Sequence, residues 1–143
     1  MDVFDNFFGG MRIATSGLKA ERMRMDTIAK NIAHSQTTRT PDGGPYTRQV
    51  VHFAPALARR LDGTEEVAGV EVQGVHDDTT SPYEEIHDPS HPDADAEGIV
   101  RMPNVNTMRE MADLITASRA YEANLTLQET FDRIAERSLR LAE

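Results

Sequence analysis

Apolar residues recur every seven positions at the start of the chain. Phe4, Met11, Leu18, Met25 and Ile32 form one row. Phe7, Ala14, Glu21 and Ile28 form a second row three residues on, with Glu21 its only polar member. Two such rows sustained over about four repeats are the a/d seam of a helix packed lengthwise against another helix. Gly9, Gly10 and Gly17 each cost about 1 kcal/mol of helix propensity against Ala. The spacing therefore predicts secure helix from about Met11, with a frayed or bent turn before it.

The other end carries a second periodic stretch. Thr107-Met108-Arg109-Glu110, just after Pro103, reads as a capping box. Ala117, Ala120, Asn124, Leu127, Phe131, Ile134, Ser138 and Leu141 then alternate steps of three and four, and a neighbouring stripe holds Met111, Leu114, Tyr121, Leu125, Ala135 and Leu139. No Gly or Pro interrupts 104–143, so the pattern predicts a helix of about 35 residues, about 50 Å long. Asn124, on the seam, is expected to set helix register at some cost in stability. Two apolar stripes require two neighbours. The N-terminal helix supplies one. The sequence has no third long helix, so the second is expected from another chain.

Between these ends Pro and Gly recur, and short β-like runs separate them at Tyr46–Phe53, Val67–Val75, Tyr83–His87 and Ile99–Met102. The expected fold is mainly α with a small β module. Long N- and C-terminal helices pair as a coiled-coil-like hairpin around a short-stranded antiparallel β insertion. The expected divisions are an N-terminal helix over 1–34, a Pro/Gly-rich middle over 35–103 and a C-terminal helix over 104–143. The middle is marginal alone and is expected to dock on the helices or on a neighbour.

Composition sharpens this picture. Hydrophobic residues are 38% and aromatics 6%, with no Trp, a thin supply for a self-sufficient core. With no Cys, thiolate metal sites, disulfides and Cys nucleophiles are excluded. The net charge of −9 is uneven: 61–100 holds 12 acidic residues and no Lys or Arg, while the remainder carries +3. An acidic middle repels phosphates, so no nucleic-acid partner is expected. No apolar run approaches the ~20 residues that span a bilayer, and the first residues lack the basic and apolar regions of a cleavable secretory signal. Direct membrane insertion is not expected.

Enzyme signatures such as P-loop, G-x-G-x-x-G, G-x-S-x-G and H-E-x-x-H are absent, and neither an enzyme activity nor a cofactor is expected. The most site-like stretch is His87–Gly98. Asp93, Asp95 and Glu97 alternate like the opening of a calcium loop, but Asn104 stands where a bidentate Glu belongs, and Pro89 and Pro92 forbid a preceding helix. A rigid loop whose carboxylates cap local N–H groups is the favoured reading. A soluble acidic metal-binding module is the first alternative for the whole chain, and a cytoplasmic coiled-coil adaptor or chaperone the second. The basic residues Arg12, Lys19, Arg22, Arg24 and Lys30 are mixed with Glu21 and Asp26, which favours a solvated or inter-subunit face.

Four stretches resemble the flagellar rod and hook axial proteins of bacteria, and within them the proximal-rod branch. They are Thr15–Asp26 continuing into Ile28–Ala33; Thr37–Tyr46, with Gly43, Gly44, Pro45 and Tyr46, then Arg48-Gln49; Asp88–Gly98, with His91, Pro92, Asp93, Asp95 and Gly98, leading into Val100 and Met102–Val105; and Met111–Asn124. Lys30 and His34 replace two Asn of the run Asn-Asn-Ile-Ala-Asn usual in that family. The resemblance implies a structural subunit of the proximal rod, the periplasm-crossing part of the drive shaft. Its paired terminal helices would line a tube and its middle module would lie outside. The implied partners are copies of itself, other rod proteins, the adaptor between rod and membrane ring, and the flagellar type III export apparatus, through which it would leave without cleavage. Phe4 and Phe8 resemble a short export motif; two core aromatics at i and i+4 are the equal alternative. The implied assembly residues are Met11, Leu18, Met25, Ile28, Ile32, Met111, Leu114, Tyr121, Asn124, Leu125, Leu127, Phe131 and Ile134.

Overall fold

A computed structural model describes residues 3–59 and 65–140, with the side chains of residues 3–6, 59 and 65 outside the description. Elements follow in the order α1 (Val3–Ala33), β1 (Gln49–Arg59), β2 (Glu65–Asp77), β3 (Glu84–His87), β4 (Ile99–Met102) and α2 (Thr107–Arg140). The protein is thus mainly helical with a small antiparallel β module.

The two helices run antiparallel in contact. Phe7 of α1 stacks edge-on against Phe131 near the far end of α2, at 5.4 Å between centroids. At the opposite end Asn31 Nδ2 donates to Glu110 Oε2 at 2.9 Å. Contrary to the expected fraying, α1 runs unbroken through Gly9-Gly10. Close packing explains the glycines at positions 10 and 17, whereas Gly9 faces open space. A Cβ on Gly10 would lie 2.7 Å from Phe131 Cζ, and one on Gly17 2.9 Å from Asn124 Nδ2. These two glycines are notches for α2 side chains, and the dispersion energy of that close approach offsets their low propensity.

The capping box is also corrected. Asn106 is the N-cap, its Oδ1 accepting from Arg109 N at 3.0 Å. Glu110, expected to reach back to Thr107, is fully buried instead; a charged partner inside the fold draws it away from the helix end.

Two separate two-stranded antiparallel sheets form the middle. The longer, β1–β2, has register shifts at His52/Phe53 and Ala56/Leu57, bulges that bend and twist the ribbon. Pro55 sits within β1, tolerated because a two-stranded ribbon leaves one edge unpaired. The ribbon docks on α1: Ser16 Oγ accepts from Val70 N at 3.0 Å, and Gly69, at φ +148°, lies so close that a Cβ would collide with Ser16. The shorter sheet, β3–β4, buries Val100.

The core is small. Among the described residues six hydrophobic side chains are buried, four of them Ala14, Ala20, Ile28 and Ala117, while seventeen large ones are exposed. Exposed large hydrophobic side chains therefore outnumber buried ones among the described residues.

Candidate functional site: a buried polar junction and exposed helix flanks

Where α1 ends and α2 begins, the chain builds a polar junction. Asn31 is fully buried with its amide saturated. Its Nδ2 donates to the Gln49 carbonyl (2.8 Å) and to Glu110 (2.9 Å), and its Oδ1 accepts from the Tyr46 hydroxyl and from Gln49 N (both 2.9 Å). Glu110 receives Arg48 Nε on its other oxygen at 2.7 Å. Arg48 also reaches Asp78 at 3.4 Å and Asp113 at 3.9 Å. Asn104 binds the same strand from below: it accepts from Arg48 N and donates to the carbonyls of Asp78 and Ser81. One network therefore ties both helices, the entry to β1 and the exit of β2.

Electrostatics follow from this geometry. Burial alone would lower the Arg48 pKa, but the hydrogen bond and charge of Glu110 outweigh it, helped by Asp78, and the net direction is upward. Burial, aided by the charges of Asp77 and Glu110, pushes the Tyr46 phenol up. Hydrogen bonds from the Thr80 and Ser81 hydroxyls and N–H groups hold the Asp78 carboxyl well below the usual range. The two positions that depart from the family run also have partners here: Lys30 donates to Gln49 Oε1 at 2.8 Å, and His34 stacks on Tyr46 at 4.8 Å.

The family-motif loops join each other. Thr38 Oγ1 donates to Asp93 at 2.8 Å and Arg39 pairs with the same carboxylate at 3.3 Å. Asp95 Oδ1 accepts from Glu97 N and Ile99 N, Asp88 Oδ1 from Ser90 N, and His91 Nδ1 from Asp93 N. Gly98 (φ +76°) is buried where a Cβ would press on Pro89. Gly43 and Gly44, at φ +87° and +79°, turn the chain in open space before half-buried Pro45 and buried Tyr46; Pro92 is exposed. These carboxylates serve backbone and neighbouring side chains, and among the described residues no group of three or more His, Asp or Glu is arranged to hold a metal ion.

On α1, Ile28 is buried and Met11, Leu18, Met25 and Ile32 are half-buried. On α2, the inner face carries Glu110, Leu114, Ala117, Tyr121, Asn124, Gln128, Phe131 and Ala135. Leu127 and Ile134, assigned to that face from their spacing, are 51% and 45% exposed. At 3.6 residues per turn the face advances to Gln128 and Ala135, leaving the two apolar side chains on one flank. Met111 and Leu125 lie exposed on the opposite flank with Met108 and Ile115. The predicted stripes are therefore regrouped: an inner face met by α1, and flanks whose apolar side chains are exposed among the described residues. Leu139 is exposed, Leu141 lies outside the described residues, and Phe8 is 55% exposed beside Phe7; the Phe4 side chain lies outside those described.

An open groove of about 1550 Å³ runs between α1 and the β1–β2 ribbon, walled by Phe8, Lys19 and Met23 on one side and Val67, Val70 and Val72 on the other. No described helix is long and apolar enough to cross a membrane.

Sequence reasoning missed Asn31, Arg48, Asp78, Asn104 and Glu110 as a set. Asn31, Arg48 and Asn104 lie inside the matched stretches, where their polarity was the available signal; Asp78 and Glu110 lie outside them. Asn31 interrupts an apolar run, and Arg48 is the only Lys or Arg between Arg39 and Arg59.

Comparison with known proteins agrees with this architecture. Residues 11–39 match the family described as flagella basal body rod protein, and residues 96–141 match the flagellar basal body rod FlgEFG protein C-terminal family. The flagellar basal-body rod protein FlgC of Borreliella burgdorferi is 43% identical, covering 84% of this chain and 87% of that protein. Those of Bacillus subtilis (36%, 83% and 87%) and Aquifex aeolicus (37%, 93% and 95%) are similar over comparable spans. With relatives this similar along nearly their whole length, the chain belongs to the FlgC family of flagellar basal-body rod proteins.

Proposed function

We propose that this chain is a structural subunit of the flagellar basal-body rod and not an enzyme. It assembles with copies of itself and other rod proteins into the tubular shaft that transmits torque and leaves a central export channel. The observation that carries the reading is the helix pair whose inner face is filled by its own chain while apolar side chains remain exposed on its flanks. Such flanks do nothing for a monomer; a stack of subunits buries them.

The finer reading extends this. The helices of 1–34 and 104–143 pack as a coiled-coil-like hairpin lining the proximal-rod tube, and 35–103 forms the outer module. Met11, Leu18, Met25, Ile28, Ile32, Leu114, Tyr121, Asn124 and Phe131 hold the pair together, and Met111, Leu125, Leu127 and Ile134 meet neighbours. The rod-to-membrane-ring adaptor is a neighbour, and the subunit reaches the periplasm through the type III export apparatus without cleavage. Phe8, exposed near the start of α1, is read with Phe4 as the export signal.

The test is gene deletion followed by electron microscopy of the cell envelope. Rods missing beyond the membrane ring, restored by the wild-type gene, support the reading. Complete rotating flagella in the deletion strain refute it.

A further inference from the structure

Two outer stripes match each other in charge and spacing. On α1, Phe8, Arg12, Lys19 and Met23 follow at steps of four, seven and four, and all are exposed. On α2, Met111, Ile115, Glu122, Leu125 and Glu129 follow at steps of four, seven, three and four, also all exposed. Each set therefore lies along one line of its helix. One line is basic and apolar, the other acidic and apolar. Arg12 to Lys19 and Glu122 to Glu129 are both seven residues apart, about 10.5 Å. Among the described residues none of these four charged groups has an ion-pair partner in its own chain.

The intrachain register fixes how the lines would meet. Gly10 faces Phe131, Gly17 faces Asn124, and Asn31 bonds Glu110; each pair of residue numbers adds to 141. A second copy alongside, in the same orientation and at the same height, presents its α2 antiparallel to this α1 with the same sum. Arg12 then meets Glu129, and Lys19 meets Glu122.

The α1 line is one wall of the groove. A helix about 10 Å across would fill 1550 Å³ over roughly 20 Å, or about 13 residues, close to the span Ile115–Glu129. The opposite wall supplies exposed Val67 and Val70 for apolar contact, and its acidic Glu71 is answered by Arg119 and Arg133, which border the α2 line.

We propose that the groove between α1 and the β1–β2 ribbon is the seat for the outer face of α2 from a second copy of this chain, in the register Arg12–Glu129 and Lys19–Glu122. The proposal rests on the rod-subunit reading and adds a defined self-interface to it.

Because the chain has no Cys, introduced thiols report contacts directly. Cells lacking the chromosomal gene express two alleles together, Lys19→Cys and Glu122→Cys, and their isolated basal bodies are oxidised. A disulfide-linked dimer is expected. Lys19→Cys paired with Glu129→Cys, one heptad out of register and about 10.5 Å away, exceeds disulfide reach and is expected to stay monomeric. Basal bodies with complete rods and no dimer in the first pairing, or with a dimer in the second, would overturn the proposal while leaving the rod reading intact. Complete rods in cells carrying no allele would instead remove the rod reading, and the proposal with it.

Discussion

Replacing Arg48 by Met takes the cation away from a fully buried carboxylate. Glu110 has no exposed surface, and its short 2.7 Å bond to Arg48 leaves only Asn31 on the other oxygen once the guanidinium is gone. Removing one partner of a buried ion pair costs about 3–5 kcal/mol. The Arg48 side chain keeps 18% of its exposure, so water already screens part of the pair and the lower figure, about 3 kcal/mol, is expected. Met preserves much of the aliphatic packing, so the loss is electrostatic. With a urea slope of about 1–3 kcal/mol/M, the unfolding midpoint followed by circular dichroism in the far ultraviolet should fall by roughly 1–3 M. Adding Glu110→Gln removes the stranded charge and leaves a neutral amide that still meets Asn31, so the double variant should regain about half of the loss. If Arg48→Met and the double variant unfold at the same midpoint, the stranded Glu110 charge is not the source of the loss and the junction is not held by that pair.

Gly17→Ala gains about 1 kcal/mol of helix propensity but drives a methyl against Asn124 at 2.9 Å; a lower Tm, restored by adding Asn124→Ala, is expected, and a raised Tm in the single variant would contradict the notch. Asp78 has its carboxyl held below the ordinary value of 3.8, first by the Thr80 and Ser81 hydroxyls. A depressed folded value stabilises above the unfolded value and that stability is lost as pH falls through the folded one. Asp78→Asn should therefore be less stable at neutral pH and show a shallower acid loss below about pH 4 in pH-dependent melting; an unchanged acid limb would count against those bonds. Ile28→Asp, at a position 5% exposed, should leave no folded subunit by circular dichroism, because an unpaired charge is costly inside the helix pair; native-like helix content would count against the seam.

The helices were legible because period 3.6 is local, and β3 and β4 fell almost on the short β-like runs that suggested them. The helix faces were less legible. Leu127 and Ile134 continue the three-four alternation on paper, yet the inner face passes to Gln128 and Ala135 as helical drift accumulates. Gly10 and Gly17 looked like weak points because propensity is a property of one helix, whereas their use depends on Phe131 and Asn124 across the pair. The junction was hidden for the same reason. Asn31 and Glu110 are 79 residues apart and Arg48 and Glu110 are 62 apart. Glu110 also offered a plausible local role at a helix N-terminus, which long-range pairing overrode.

If exposed flanks of a completed helix pair build the rod, Leu125→Asp tests that most directly. Leu125 is 40% exposed, outside the inner face, so the variant should fold like the wild type. Electron tomography of a deletion strain expressing it should then show membrane rings without completed rods. Full-length rods containing the folded variant would contradict the account.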